Sequence, residues 1–308
     1  MNTKKTFTTA VGDTDITVKF TDLAENTNGS VLVEAGDTVV LVTAVMEERE
    51  STKDYFPLSV EFEERFYSVG ASLGSRYMRR EGRPSQEAVL NARIIDRTIR
   101  PLFPKALHKE VQVIATIISF GTYNPDVLAV LGASLALGTS DIPWNGPVSG
   151  VRYALTADGW SAFAPFDKAR EAEADVLVCG KENCITMIEM EGKEVAEADI
   201  ARITGEALTH IRDLQTFQQK IIEEIGTEKR AVSEQTLPEK TLAQFDERIR
   251  PALKSALFDR QGSTEQVKEE WLKLAEDTDR IPAETHFERA VDEIIHTDAP
   301  KHLSLIHI

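Results

Sequence analysis

This chain of 308 residues has two cysteines, six histidines, a deficit of positive charge and no long apolar run. Each shortage removes a class of function. Cys179 and Cys184 sit five residues apart among hydrophobic neighbours, so neither a disulfide framework nor a zinc knuckle is expected. A reducing cytosol suits such a chain. The histidines are scattered without a ligand-type spacing such as HExxH, which argues against a metal site built from imidazoles. No stretch approaches the roughly 18 apolar residues of a membrane helix. The start, Met1-Asn2-Thr3-Lys4-Lys5, runs into Thr-rich sequence and lacks the apolar core of a signal peptide. A cytoplasmic protein is expected, with no membrane partner. Lys and Arg number 35 against 51 Asp and Glu, a net of -16. Bulk positive charge cannot hold nucleic acid here, and any such contact must be local.

One segment runs against that balance. Residues 74–85 hold Arg76, Arg79, Arg80 and Arg83 together with Tyr77, between Gly74 and Pro84-Ser85. From Arg76 to Arg100 seven arginines (76, 79, 80, 83, 93, 97 and 100) face Glu81, Glu87 and Asp96, a net of +4. Guanidinium forks hold phosphate oxygens in pairs, and an aromatic face stacks on a base. A loop for a phosphate backbone is one reading. The other is a solvated turn whose arginines pair with Glu81, Glu87 and their neighbours.

Periodicity gives the architecture. Residues 16–20, 30–34, 38–45 and 58–62 carry β-branched, alternating apolar side chains and predict antiparallel strands, with Gly36-Asp37 as a turn. Over 85–103 the period lengthens: Leu90, Ile94, Ile95 and Ile99 form one stripe, and Arg93, Asp96, Arg97 and Arg100 lie on another face of a helix that ends near Pro101. A buried strand is predicted at 111–120 and a buried helix at 126–140 after Asn124-Pro125. Two hairpins follow, 149–156 with 160–164 and 174–179 with 184–189, then a helix over 197–225. The first unit therefore reads as an α+β domain with a β-rich sheet and helices on one side. It spans 1–228, with a polar linker at 229–240, a charge-laced all-α domain at 241–300, and a tail at 301–308 that completes neither helix nor cap.

With these segments in place the chain resembles the N-terminal part of bacterial polynucleotide phosphorylase, a polyribonucleotide nucleotidyltransferase. The resemblance rests on Asp37-Thr38-Val39-Val40, Phe56-Pro57-Leu58-Ser59-Val60 with Glu63-Glu64-Arg65, Arg79-Arg80-Glu81-Gly82-Arg83-Pro84-Ser85, Arg93-Ile94-Ile95-Asp96-Arg97 with Ile99-Arg100-Pro101-Leu102-Phe103-Pro104, and Ser140-Asp141-Ile142-Pro143 with Asn145-Gly146-Pro147. Their order and spacing follow that family. Past about residue 230 only helical character and position match.

The resemblance implies a ribonuclease PH-like β-α-β-α domain, first copy of two, followed by a small all-α domain. It implies processive 3'-to-5' phosphorolysis of single-stranded RNA: inorganic phosphate attacks the terminal phosphodiester and releases a nucleoside diphosphate, in RNA processing and mRNA degradation. It also implies Mg2+, a homotrimer and a possible RNA-degradation complex. The family's phosphate-binding hydroxyls and metal-binding carboxylates belong to the second copy, which does not occur in this sequence, so no catalytic residue and no metal ligand are expected in this chain. Arg83 falls where the related ribonuclease PH has one phosphate-binding arginine. Where that enzyme has the other, ahead of Gly132-Ala133, stands Asn124-Pro125-Asp126, whose carboxylate would repel phosphate. Asp175 offers one acid and not the spaced pair a divalent cation needs. Tyr77, Arg79 and Arg80, with Arg83, are the residues expected to guide RNA, and Met78 replaces one of the family's paired aromatics. Arg93, Arg97 and Arg100 are secondary candidates, for which an ion-pair ladder with Asp96 is the competing account. Asp141 reads as a cap or turn residue. A non-catalytic RNA-binding or assembly module, or a small-molecule phosphate enzyme using Arg83, are the alternative readings.

Overall fold

The computed structural model describes residues 4–51, 53, 55–71, 83–232, 237–258, 262–275 and 280–298. Tyr77, Arg79 and Arg80, and the tail at 301–308, lie outside the described residues. The chain divides into two units, 1–231 and 232–308.

The first unit is built on two sheets. One has six strands, β1 (Lys5–Val11), β2 (Thr14–Phe20), β3 (Gly29–Ala35), β4 (Thr38–Glu50), β5 (Leu58–Glu63) and β6 (Lys109–Ser119), in the order β1-β2-β3-β4-β6-β5. Strict alternation in β3, and over most of β4, puts Val31, Val33, Val40 and Val42 in the core. β5 pairs parallel to β6, which corrects the expectation of an antiparallel strand at 58–62. The reason is the connection: helix α1 (Gln86–Ile99) lies between them, and a parallel pair needs such a crossover. Ser85 caps α1 by accepting the Ala88 N–H at 2.9 Å and donates its hydroxyl to Glu64 at 2.7 Å. The Thr-rich β1, half exposed along its length, was not anticipated from the sequence.

Helix α2 (Pro125–Thr139) is buried at every position. It is apolar all round, so it requires cover on both sides. That cover comes from β3 and β4 on one side and, on the other, from the second sheet. This sheet comprises β7 (Ser149–Thr156), β8 (Gly159–Ala162), β9 (Ala174–Lys181) and β10 (Cys184–Gly192), in the order β10-β9-β7-β8. Two sheets thus replace the single sheet expected. A Cβ at Gly132 would lie 2.4 Å from Val42 Cγ2, and one at Gly29 would lie 2.1 Å from the Ala136 carbonyl oxygen. The helix sits on its sheet only because both side chains are absent. Cys179 is buried on β9, whereas Cys184, at the start of the edge strand, is exposed.

A short helix α3 (Phe166–Arg170) follows β8, and the long helix α4 (Glu197–Ile225) packs on β7 and β9. Its buried glutamines satisfy polar backbone that α4 covers. Gln215 donates to the Gly180 carbonyl at 2.9 Å and accepts the Glu182 N–H at 2.8 Å, while Gln218 donates to the Val148 carbonyl at 2.8 Å. After α4 the chain returns to the C-terminal end of α2. Thr227 N–H donates to Thr139 O at 2.9 Å, and Lys229 Nζ donates to the carbonyls of Leu137, Gly138 and Ser140 at 2.6, 3.0 and 2.7 Å. An ammonium there answers both the unpaired carbonyls and the negative pole of the helix. Asp141 accepts from Asn28 Nδ2 and from Arg230 Nε, joining the strand side to this returning segment.

The second unit contains α5 (Glu239–Gln244), a π-helical turn at Phe245–Ile249, α6 (Arg250–Phe258), α7 (Thr264–Leu274) and α8 (Arg280–Asp298). Phe245, Ile249, Leu253, Trp271, Ala283 and Phe287 form its core. Trp271 Nε1 donates to the Ala283 carbonyl at 2.7 Å, and a capping box between Ser263 and Gln266 starts α7. His286 packs edge-on against Phe245 with ring centroids 4.5 Å apart, and its Nε2 is buried with no hydrogen-bond partner among the described residues. Among the described residues no helix is long and apolar enough to cross a membrane.

Two outcomes follow from this packing. Lys229→Met removes an ammonium from three buried carbonyls, and the urea midpoint should fall by the equivalent of about 1–3 kcal/mol. Burial lowers the pKa of His286 below its ordinary value. The unfolded imidazole therefore binds protons first, and the stability this group contributes is complete above its usual value of about 6.5 and declines as pH falls. Hydrogen-exchange protection at the amides of Phe245–Ile249, corrected for the intrinsic pH dependence of exchange, should fall on acidification in the native chain and change less in His286→Phe.

Candidate functional site

A cleft of about 1760 Å³ opens in the first unit between α1, β5, α3 and β10. Its upper walls carry Arg83, Arg93 and Arg170, together with Phe66, Val69, Leu90 and Met190, and its floor carries Arg152 and Asp175 beside Asn124 and Pro125. Phe66, Val69, Leu90 and Met190 are each exposed. The lining holds five arginines (65, 83, 93, 152 and 170) against eight carboxylates (Glu61, Glu63, Glu64, Glu87, Asp96, Asp175, Glu189 and Glu191). Among the described residues the lining is therefore acidic, and positive charge is confined to individual side chains.

The floor is a closed ion cluster. Arg152, on β7, donates Nη2 to Asp126 Oδ2 and Nη1 to Asp175 Oδ2, both at 2.5 Å. Asp126 lies in the first turn of α2 and is 1% exposed, and its Oδ1 also accepts the Val127 N–H at 2.6 Å. Asp175 comes from β9, the strand beside β7. Burial alone would lower the pKa of the guanidinium, but the Asp126 and Asp175 carboxylates more than offset it and raise the value, so Arg152 stays charged. Both arms of its fork are occupied. The two acids that sequence reasoning judged separately, Asp126 as a phosphate-repelling residue and Asp175 as an isolated acid, thus converge on one cation. Arg152 itself was missed. A lone arginine between Val151 and Tyr153 in a strand carries no spacing signal, because its partners sit 26 and 23 residues away on other elements.

The other candidates separate by their surroundings. Arg83 is exposed at the mouth of the cleft, and Arg93 and Arg97 are exposed on α1; no described residue bonds any of the three. Arg100 is a brace. It forms a two-armed pair with Asp96, at 2.9 and 2.6 Å, and reaches the carbonyls of Phe56 and Leu58. Asp141, expected as a cap or turn, is the joint between Asn28 and Arg230 described above. No group of three or more His, Cys, Asp or Glu suited to a metal ion occurs among the described residues.

Residues 14–143 match the 3' exoribonuclease family, domain 1. The chain is 41% identical over 245 residues to the polyribonucleotide nucleotidyltransferase of Pseudothermotoga lettingae, covering 79% of this chain and 34% of that protein. It is 37% identical over 270 residues to the enzyme of the same name from Exiguobacterium sibiricum, covering 87% and 35%. The chain thus spans about a third of the length of the curated relatives it matches. Among solved structures, a chain of the Archaeoglobus fulgidus exosome with RNA bound to the active site shares the fold, with a TM-score of 0.54 at 16% identity over 65% of this chain and 87% of that one.

If the floor cluster is one electrostatic unit, Arg152→Met should leave the buried Asp126 and the half-buried Asp175 without a cation. A loss of about 3–5 kcal/mol is expected in urea unfolding, whereas Arg93→Met, at an exposed position, should change stability by less than about 0.5 kcal/mol.

Proposed function

We propose that this chain, whose first unit carries domain 1 of the 3' exoribonuclease family and resembles the N-terminal third of polyribonucleotide nucleotidyltransferases, guides single-stranded RNA for a phosphorolytic enzyme and does not itself cleave it. The reaction proposed for the whole protein is reversible. A phosphate oxygen attacks the 3'-terminal phosphodiester, the bond to the next nucleotide's 3' oxygen breaks, and a nucleoside diphosphate leaves. Such a step needs a held phosphate, cations on the oxygens gaining charge, and aligned nucleophile and leaving group.

The observation that carries the reading is the closed cluster at the cleft floor. Arg152 has no free fork for phosphate while Asp126 and Asp175 hold it. Mg2+ does not fit these residues either, because Asp126 and Asp175 each direct an oxygen to the guanidinium that stands between them, and that cation occupies the place a metal would take; no step is assigned through a metal in this chain. Residues beyond this third of the protein would supply the catalytic centre.

The exposed arginines take the RNA. By their chemistry Tyr77 supplies a stacking face and Arg79 and Arg80 supply phosphate contacts, and Arg83 is exposed on the lining of the cleft. Arg93 and Arg97 extend it along α1, and Arg100, engaged with Asp96 and two carbonyls, serves the fold. A homotrimer within a cytoplasmic RNA-degradation assembly is the setting this reading favours.

Two measurements test it. With Mg2+ and phosphate present, the isolated chain should release little nucleoside diphosphate from poly(A), and robust turnover would overturn the assignment. The double substitution Arg79→Ala and Arg80→Ala should weaken single-stranded RNA binding and reduce the slope of log affinity against log salt by about 1.4, at roughly 0.7 per lost phosphate contact. An unchanged slope would remove those residues from the RNA path.

A further inference from the structure

The second sheet ends in a strand paired on one side only, since its order is β10-β9-β7-β8. The register of β10 with β9 shifts between Ile185 and Met187 and is regular from there to Gly192. Just beyond, the Lys193 N–H donates to the Glu173 carbonyl at 2.9 Å. Residues two apart in an antiparallel strand aim their backbone the same way, so Glu191 and Glu189 bond inward as Lys193 does, while Ile188, Met190 and Gly192 hold N–H and C=O outward. Among the described residues no hydrogen bond reaches those outward groups. Natural edge strands are blunted by Lys, Pro, a bulge or a covering element. Ile188–Gly192 has none of these, and all of it is exposed, Ile188 at 50% and Met190 at 42%.

The side chains alternate in chemistry as well as in direction. Ile188 and Met190 stand on one face beside the fully buried Val178 and Val176 of β9, and Glu189 and Glu191 stand on the other, on the lining of the cleft. A strand laid along this edge gains by covering the apolar pair and must answer two carboxylates. A second copy of β10 fails the second condition: antiparallel self-pairing centred on Glu189 or on Met190 sets glutamate opposite glutamate.

We propose that Ile188–Gly192 is a docking edge for an extended segment of a partner protein in which apolar residues alternate with Lys or Arg. The segment adds a strand to the sheet. The backbone of Ile188, Met190 and Gly192 holds it, its apolar side chains close over Ile188 and Met190, and its basic ones pair with Glu189 and Glu191. The inference is independent of the RNA-guiding reading, because it uses none of the arginines on which that reading stands.

The test is binding of short synthetic peptides to the full chain, read by fluorescence anisotropy and by amide hydrogen exchange. A peptide alternating Val and Arg should bind and protect the amides of Ile188, Met190 and Gly192. One alternating Val and Glu should bind about tenfold more weakly or worse, with two ion pairs exchanged for repulsion. Glu189→Lys with Glu191→Lys, both at exposed positions, should reverse that preference. Met190→Pro, which removes an outward N–H that the fold does not use, should weaken binding of the Val-Arg peptide while leaving the Tm of the free chain nearly unchanged. Equal binding of the two peptides, an unreversed preference in the double variant, protection elsewhere in the chain, or undiminished binding by Met190→Pro overturns the proposal. Concentration-dependent dimerisation that protects the same amides also overturns it, because a second copy would then be the occupant.

Discussion

The structure of the first unit turns on burying helix α2 whole. All fifteen residues are covered, between β3 and β4 on one side and the second sheet on the other. A helix inside a protein leaves unpaired N–H groups at one end and unpaired carbonyls at the other, and water is not there to meet them. Both ends of α2 are therefore answered by side chains. At the start, Asn124 accepts the Asp126 N–H, and the Asp126 carboxylate takes the next amide and is balanced by Arg152. At the finish, Lys229 donates to three carbonyls and Thr227 to a fourth. The first solution closes the floor of the cleft, and the second fixes where the chain leaves this unit. Two features that look separate, a closed ion cluster and an anchored exit, are consequences of one burial.

The sequence reveals this fold unevenly, for physical reasons. Periodicity marked β3, β4, α1, α2, both hairpins and α4, because one face or one stripe of each is buried and the pattern follows. It missed β1, whose alternating positions are only partly covered, so that Thr residues serve as well as apolar ones. It misread the direction of β5, since alternation is the same for either pairing, and only the intervening helix decides. The second sheet was legible as hairpins but not as a separate layer. That followed from α2 being apolar on every side, which demands a second cover. The site was legible where chemistry is clustered in sequence, as in residues 76–83, and hidden where it is assembled in space. Asp126, Arg152 and Asp175 lie on a helix and two strands, and each alone reads as an ordinary residue of its element.

The arginines around the cleft illustrate why counting charge does not assign function. Arg100 and Arg152 are spent on the fold, one against Asp96 and two carbonyls, the other against two acids. Arg83, Arg93 and Arg97 are exposed and bonded by no described residue. In a chain of net charge -16 the surrounding field is unfavourable to RNA. At physiological salt that field is screened over about 8 Å, so a few exposed guanidinium groups can act at contact distance while the bulk of the protein repels. RNA held in this way would be guided more than gripped, with affinity that falls as salt rises.

Guiding and cleaving place opposite demands on a cation. A guide must leave its guanidinium groups exposed and exchangeable, so that successive phosphates can take and release them. A catalytic site must bury its cations, orient them and keep them vacant until substrate arrives. A buried, vacant arginine is costly, and the cheapest way to remove that cost is to bring an internal carboxylate to it. Asp126 does this for Arg152, with Asp175 completing the pair. On the proposed reading, the arginines left exposed, at the cleft mouth and along α1, are the ones available to guide RNA.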